Sequence, residues 1–114
     1  MAEAIVRSPL ALEVVRSGSD AIVRCRGKLV AGVTDDLYNA VRPLIPEAKR
    51  IVLDFTELTH VDSMGLGTLV RLYVSSTSAG CDLQLVNLGK RIRELLGLTN
   101  LLSVFALVGD VRLP

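Results

Sequence analysis

The sequence predicts an α/β domain in which a mixed sheet of four to five strands carries helices packed against it. Three observations point there. Strand-like and helix-like segments alternate in the order ββαβαβαβ, which implies crossover connections on a partly parallel sheet. One segment, Ile51-Val52-Leu53-Asp54-Phe55, is nearly unbroken in its apolar character, as a strand covered on both faces is. Half of the 114 residues are hydrophobic, yet Trp is absent and only two Tyr and two Phe occur, so the core is aliphatic. A chain of this length suits one domain, residues 1–114.

Taken in order, Leu10 to Arg16 reads as a strand, Ser17 to Asp20 as a turn, and Ala21 to Gly27 as a second strand of a hairpin. Val23 and Cys25 alternate with Arg24 and Arg26, a half-exposed pattern. Thr34-Asp35-Asp36 offers an N-cap and an acidic first turn. Leu37, Tyr38, Val41, Leu44 and Ile45 follow at helical spacing. Pro43 removes a helix hydrogen bond, so a loosened last turn is expected, ending by Pro46. Ile51 to Phe55 is the central strand. Ser63 to Ala79 is the next helix, with Leu66, Leu69, Val70 and Tyr73 as its inward stripe and Gly80 at its C-terminal end. Cys81 to Val86 is a strand, and Lys90 to Leu96 a helix with Ile92, Leu95 and Leu96 inward. A final strand is expected near Ser103 to Leu107. Gly109 to Pro114 is too short and too poor in helix formers for a further helix, so a C-terminal helix is short or absent.

Composition removes several classes of function. Thirteen Lys and Arg stand against twelve Asp and Glu, for a net charge of +1. The nearest approach to a basic patch, Lys90-Arg91-Ile92-Arg93, reads as a solvated helix face, so direct nucleic-acid binding is not expected. Cys25 and Cys81 are far apart, no C-x-x-C occurs, and the single His60 completes no zinc site, so no metal or cofactor is expected. Two reduced, buried thiols fit a cytoplasmic location. Met1 to Ser19 lacks the pattern of a signal peptide, and Val104 to Val108 is too short to span a bilayer. No G-x-S-x-G elbow accompanies Ser63, no phosphate-cradling Walker loop occurs, and Asp54 and Asp62 lack a third group for acid–base work. The chain is therefore not expected to be an enzyme. His60 is expected in an exposed loop and Asp54 to hydrogen-bond nearby backbone.

In open α/β sheets, function gathers beyond the carboxyl ends of the strands. The segment after Phe55 runs Thr59-His60-Val61-Asp62-Ser63-Met64-Gly65-Leu66-Gly67 and leads into a helix. Ser63 falls at or next to the helix N-terminus, where unpaired amides and the helix dipole favour negative charge. A phosphate there would bring about −1.5 to −2 charge, and Asp62 next door would repel it. Gly65 and Gly67 each cost up to about 1 kcal/mol relative to Ala inside a helix. Two in the opening turns permit close approach by another backbone or a bulky group, or follow an Asp or Ser N-cap where helix–sheet packing needs small residues.

These residues resemble the signature of STAS domains. The hydrophobic strand Ile51 to Phe55, a short loop, and Asp62-Ser63 followed by Gly65-Leu66-Gly67 stand in register. Gly27-Lys28-Leu29, Asp82 to Asn87, and Arg91 to Phe105 are similar to flanking family segments, so the resemblance covers roughly residues 10 to 108. It implies an anti-sigma factor antagonist. In that role the unphosphorylated domain binds an anti-sigma factor that is a Ser/Thr kinase and so frees the sigma factor. Phosphorylation at Ser63 ends the binding, and a PP2C-type phosphatase restores it. Asp62, Ser63, Met64, Gly65 and Gly67 are the implied contact residues, with Leu66 and Leu69 turned to the core.

Three departures from the family pattern stand out. Met64 occupies a position that is commonly Ser or Thr, Lys28 one that is often acidic, and the usual C-terminal helix is expected to be missing or supplied otherwise. Apolar surface which that helix would cover is then available for a homodimer contact. Met64 and the missing helix also leave a second reading open: an unphosphorylated accessory subunit of an ABC-type lipid transporter. A scaffold in a stress-signalling assembly is a third.

Overall fold

Three antiparallel strands open the chain. In the computed structural model, which describes residues 2–7, 9–99 and 106–108, β1 spans Ala2–Arg7, β2 Leu10–Ser17 and β3 Asp20–Leu29. Leu10, Leu12 and Val14 of β2 are buried and alternate with half-buried Ala11, Glu13 and Val15, the period-two signature of a strand. Ser17 pairs with Asp20 across a two-residue turn that begins at Gly18, whose φ is 62°.

Helix α1 (Thr34–Val41) follows and gives way to a 3-10 turn at Arg42–Leu44. Pro43 explains the change, because it lacks the N–H that an α-helical turn would use. Strand β4 (Arg50–Val61), helix α2 (Ser63–Ser78), strand β5 (Asp82–Val86), helix α3 (Lys90–Leu98) and strand β6 (Ala106–Val108) complete the described order. Neighbours in sequence are neighbours in the sheet, β1-β2-β3-β4-β5-β6. The first two pairings are antiparallel and the other three parallel.

One buried cluster lies on one face of the sheet. Val23, Ile51, Leu53, Phe55 and Leu85 from the strands meet Leu37 and Val41 of α1, Leu69 and Leu72 of α2, and Ile92 and Leu96 of α3. The alternate positions Ile22, Val52 and Val86 form a small second cluster. The central strand therefore buries both faces, as its composition implied.

The α/β class and the ββαβαβαβ order hold from β2 onward, and β1 adds an antiparallel strand at the edge. Three local expectations change. Thr56 to Val61 is not a loop. It prolongs β4, paired to Arg26 through Leu29 of β3 across two register shifts. One of these shifts adjoins Gly27, whose φ is 92°. An added Cβ there would meet the Pro9 carbonyl oxygen at 2.1 Å. Thr34 is the buried first residue of α1, and Val33 holds the cap position without a side-chain hydrogen bond. On α2 the buried residues are Gly65, Thr68, Leu69, Leu72 and Ser76, whereas Val70 is exposed. Leu66 and Tyr73 pack against the core from its margin. The expected strand start at 103–105 and the segment 109–114 lie outside the described residues.

Candidate functional site

The parallel pairing of β3 with β4 sets the site. It places the carboxyl end of β3, Leu29, beside that of β4, Val61. The amide of Asp62 continues the ladder by donating to the Leu29 carbonyl at 3.3 Å. The chain then turns into α2, and Asp62 is its N-cap in extended conformation.

The Asp62 carboxylate is used on both oxygens. Oδ1 accepts from the Gly65 amide at 2.9 Å, the N-cap bond that satisfies a first-turn donor. Oδ2 accepts from the Ala31 amide at 2.9 Å, in the connection after β3. The Ala31 bond first, and then the Gly65 bond, hold this carboxyl below its ordinary range. The anion-favouring end of α2 is thus already occupied by a carboxylate of the chain itself.

Gly65 lets the turn close. It is buried, and an added Cβ would lie 2.3 Å from the Leu29 carbonyl oxygen and 2.9 Å from Val61 Cγ1. Its close neighbour is therefore the chain's own backbone, so Gly65 belongs to internal packing and leaves the outward-facing set. Nothing lies within 4 Å of a Cβ added at Gly67.

Ser63, the first residue of α2, is exposed, as are Met64 and Gly67. Met64 shows 56 % of its surface. The structure brings Asp62, Ser63, Met64, Gly65 and Gly67 into one turn and a half of helix, with three of them outward. His60 lies in the extended end of β4, exposed but not in a loop. The Thr59 hydroxyl donates to the Gly27 carbonyl at 2.9 Å, so it meets His60 Nδ1, 2.8 Å away, as an acceptor. The Nδ1 side of that ring is engaged with Thr59.

Asp54 is buried and also spoken for. Its Oδ1 accepts from the Thr56 amide at 3.1 Å and from Asn87 Nδ2 at 3.1 Å, and its Oδ2 lies 3.8 Å from Arg24 Nε. It braces β4, β5 and β3 against one another, and the expected bond to nearby backbone is the one to Thr56. Cys25 and Cys81 are free and buried. Among the described residues, no group of three His, Cys, Asp or Glu could hold a metal ion. No helix among them is long and apolar enough to cross a membrane.

Arg71 and Val74, further along the exposed side of α2, were missed in the sequence. The spacing of Met64, Gly67, Val70 and Val74 carries the signal, which an inward stripe that includes Val70 hides.

Fold and site together define a small α/β module that presents a serine at a helix N-terminus, beyond the carboxyl ends of parallel strands. Residues 11–112 match the STAS domain, and the chain belongs to that family. A STAS-domain containing protein of Pseudomonas aeruginosa (strain UCBPP-PA14) is 24% identical over 88 residues, covering 77% of this chain and 87% of that protein. The fold is similar to that of the anti-sigma factor antagonist SpoIIAA in its unphosphorylated form, with TM-score 0.77, 14% identity and 89% of each chain covered. It is also similar to that of a sulfate transporter family protein from Wolinella succinogenes, with TM-score 0.72, 21% identity, and 84% of this chain and 80% of that one covered.

Proposed function

We propose that this STAS domain is a non-catalytic anti-sigma factor antagonist of the cytoplasm, switched at Ser63. The unmodified α2 N-terminus binds an anti-sigma factor that is a Ser/Thr kinase, and the sigma factor is released. The kinase phosphorylates Ser63 and the complex dissociates. A PP2C-type phosphatase resets the domain.

One observation carries the reading: exposed Ser63 sits next to a carboxylate that already fills the helix end. A phosphate on Ser63 finds the Gly65 amide taken by Asp62 and meets a fixed negative charge. It gains little by folding back and projects its dianion outward, where a docked partner must desolvate it. Modification then acts on binding and leaves the domain's own fold intact. Ser63, Met64 and Gly67 form the contact, while Asp62 and Gly65 position it.

The test compares affinities for the cognate kinase, captured with the unmodified domain. Ser63→Ala is expected to bind as tightly as the unmodified wild type and to stay bound under phosphorylating conditions. Ser63→Asp is expected to bind at least about tenfold more weakly, since a buried unpaired charge costs several kcal/mol. Wild-type affinity in Ser63→Asp contradicts the reading.

A second reading draws on Met64, an exposed apolar side chain where a hydroxyl is common. In it the domain is an unphosphorylated accessory subunit of an ABC-type lipid transporter. Co-purification with a transporter ATPase in place of a kinase favours that reading.

A further inference from the structure

The exposed side of α2 continues well past Ser63. Met64, Gly67, Val70 and Val74 follow at intervals of three, three and four residues, so they share one side of the helix. Met64 and Val74 each expose 56 % of their surface and Val70 38 %. Val74, Ser75 and Ser78 turn toward the 3-10 segment. There a groove of about 450 Å3 runs between α2 and Arg42, Ile45 and Pro46.

Two guanidinium groups stand in and beside this groove: Arg42 lines it, and Arg71 lies next to it on the ring that the two share, Tyr38. Arg71 lies 4.1 Å from the centroid of the Tyr38 ring and Arg42 5.9 Å from the same ring. Sharing one aromatic ring gathers two like charges at one place. Neither is in an ion pair among the described residues. Arg71 is the only charged residue of α2, which contains no Asp or Glu.

We propose that this face seats an amphipathic helix of the partner protein, its apolar side along Val70, Val74, Ile45 and Pro46 and an acidic side chain against Arg42 and Arg71. The proposal rests on reading the α2 N-terminus as the partner-binding end, and it extends that surface to the far end of the helix. Met64 and Val74 are ten residues apart, about 15 Å along the axis. A partner helix of about three turns covers both.

Charge decides the occupant. A second copy laid face to face by a two-fold axis offers the same patch, and so brings Arg toward Arg along a helix, α2, that carries no carboxylate. A membrane-surface helix needs a polar face rich in Lys and Arg beside large apolar side chains, and two Arg with two Val and a Met do not supply that. A concave groove fits a ridge of helix side chains better than a flat bilayer. An acidic partner also links the two ends. The Arg pair attracts it, whereas phosphate on Ser63 repels it.

The test places the photo-reactive residue p-benzoylphenylalanine at position 64 or 74 of the full chain in its native cells, and the adducts are sequenced. Both positions are expected to capture one partner. The position-74 adduct should map to a helical segment with apolar residues at i, i+3 or i+4, and i+7 and with Asp or Glu beside them. Arg71→Glu should cut that adduct about tenfold, and Arg71→Lys should retain most of it. An adduct at 74 with a second copy, a lipid or a basic segment overturns the proposal, as does unchanged capture by Arg71→Glu. Capture at 64 with none at 74 overturns it and leaves the Ser63 reading standing. Capture at 74 that Ser63→Asp does not weaken overturns the Ser63 switch and leaves the docking face standing. No adduct at either position overturns both.

Discussion

The carboxylate of Asp62 accepts the backbone amide of Ala31, 31 residues earlier in the chain, while its other oxygen caps α2 at Gly65. One side chain thereby fixes the serine-bearing helix end to the connection after β3. Asp62→Ala removes both bonds. The Ala31 amide is exposed and finds water, so the loss is close to that of an N-cap, about 1–2 kcal/mol. Urea denaturation of the variant at pH 7 checks it.

The same carboxylate gives a pH signature. Its folded-state pKa is lowered by the Ala31 amide first and the Gly65 amide second. Its contribution is therefore complete above the unfolded value, near pH 4, and is lost as pH falls through the lower folded value. In the wild type, melting temperature should drop on acidification below about pH 4. In Asp62→Ala that drop should be shallower. Equal slopes in the two proteins contradict this role for Asp62.

The two glycines of α2 separate by opposite responses to one substitution. Gly65→Ala drives a methyl group to 2.3 Å from the Leu29 carbonyl oxygen, so the helix end must move. A loss of about 1–3 kcal/mol is expected. Gly67→Ala meets nothing within 4 Å and removes the entropic penalty of glycine in a helix. A gain of about 0.5–1 kcal/mol is expected. Denaturation midpoints of the two variants report both signs.

Cys25 is buried in the sheet with 2 % of its surface exposed. Burial, and after it the charge of Asp54, pushes its thiol far above the ordinary range. Reaction with Ellman's reagent at pH 8 should be limited by opening of the fold, then become fast in urea. Rapid labelling of Cys25 in the native protein contradicts this placement.

The order of elements was legible because local pattern and fold agree: the apolar run Ile51 to Phe55, the period of α2, and Gly80 at its end all point the same way. What escaped depends on pairing between distant segments. Thr56-Glu57-Leu58-Thr59-His60-Val61 is too polar to announce a strand by composition, and it becomes one because β3 runs alongside through Gly27 and Leu29. The rotation of α2 was misjudged at Val70 because it is set at the helix start, where Gly65 lies against Leu29. That contact brings Leu72 and Ser76 inward and leaves Val70 and Val74 outside. At the site, Ser63 at a helix N-terminus followed from the local sequence. Asp62 as a tie to Ala31 did not, because its partner lies in another connection.

The central claim is that Ser63 is the modified switch, and the sequence offers a direct measurement. Trypsin releases Ile51 to Arg71 as one peptide, because no Lys or Arg interrupts it. Thr56, Thr59, Ser63 and Thr68 are its hydroxyl residues. Thr68 is buried and bonded to the Met64 carbonyl. The protein is purified from its native cells across growth conditions, and this peptide is sequenced by mass spectrometry. Phosphate is expected on Ser63 in a fraction of molecules. A peptide that stays unmodified in every condition, or carries phosphate only on Thr56 or Thr59, contradicts it.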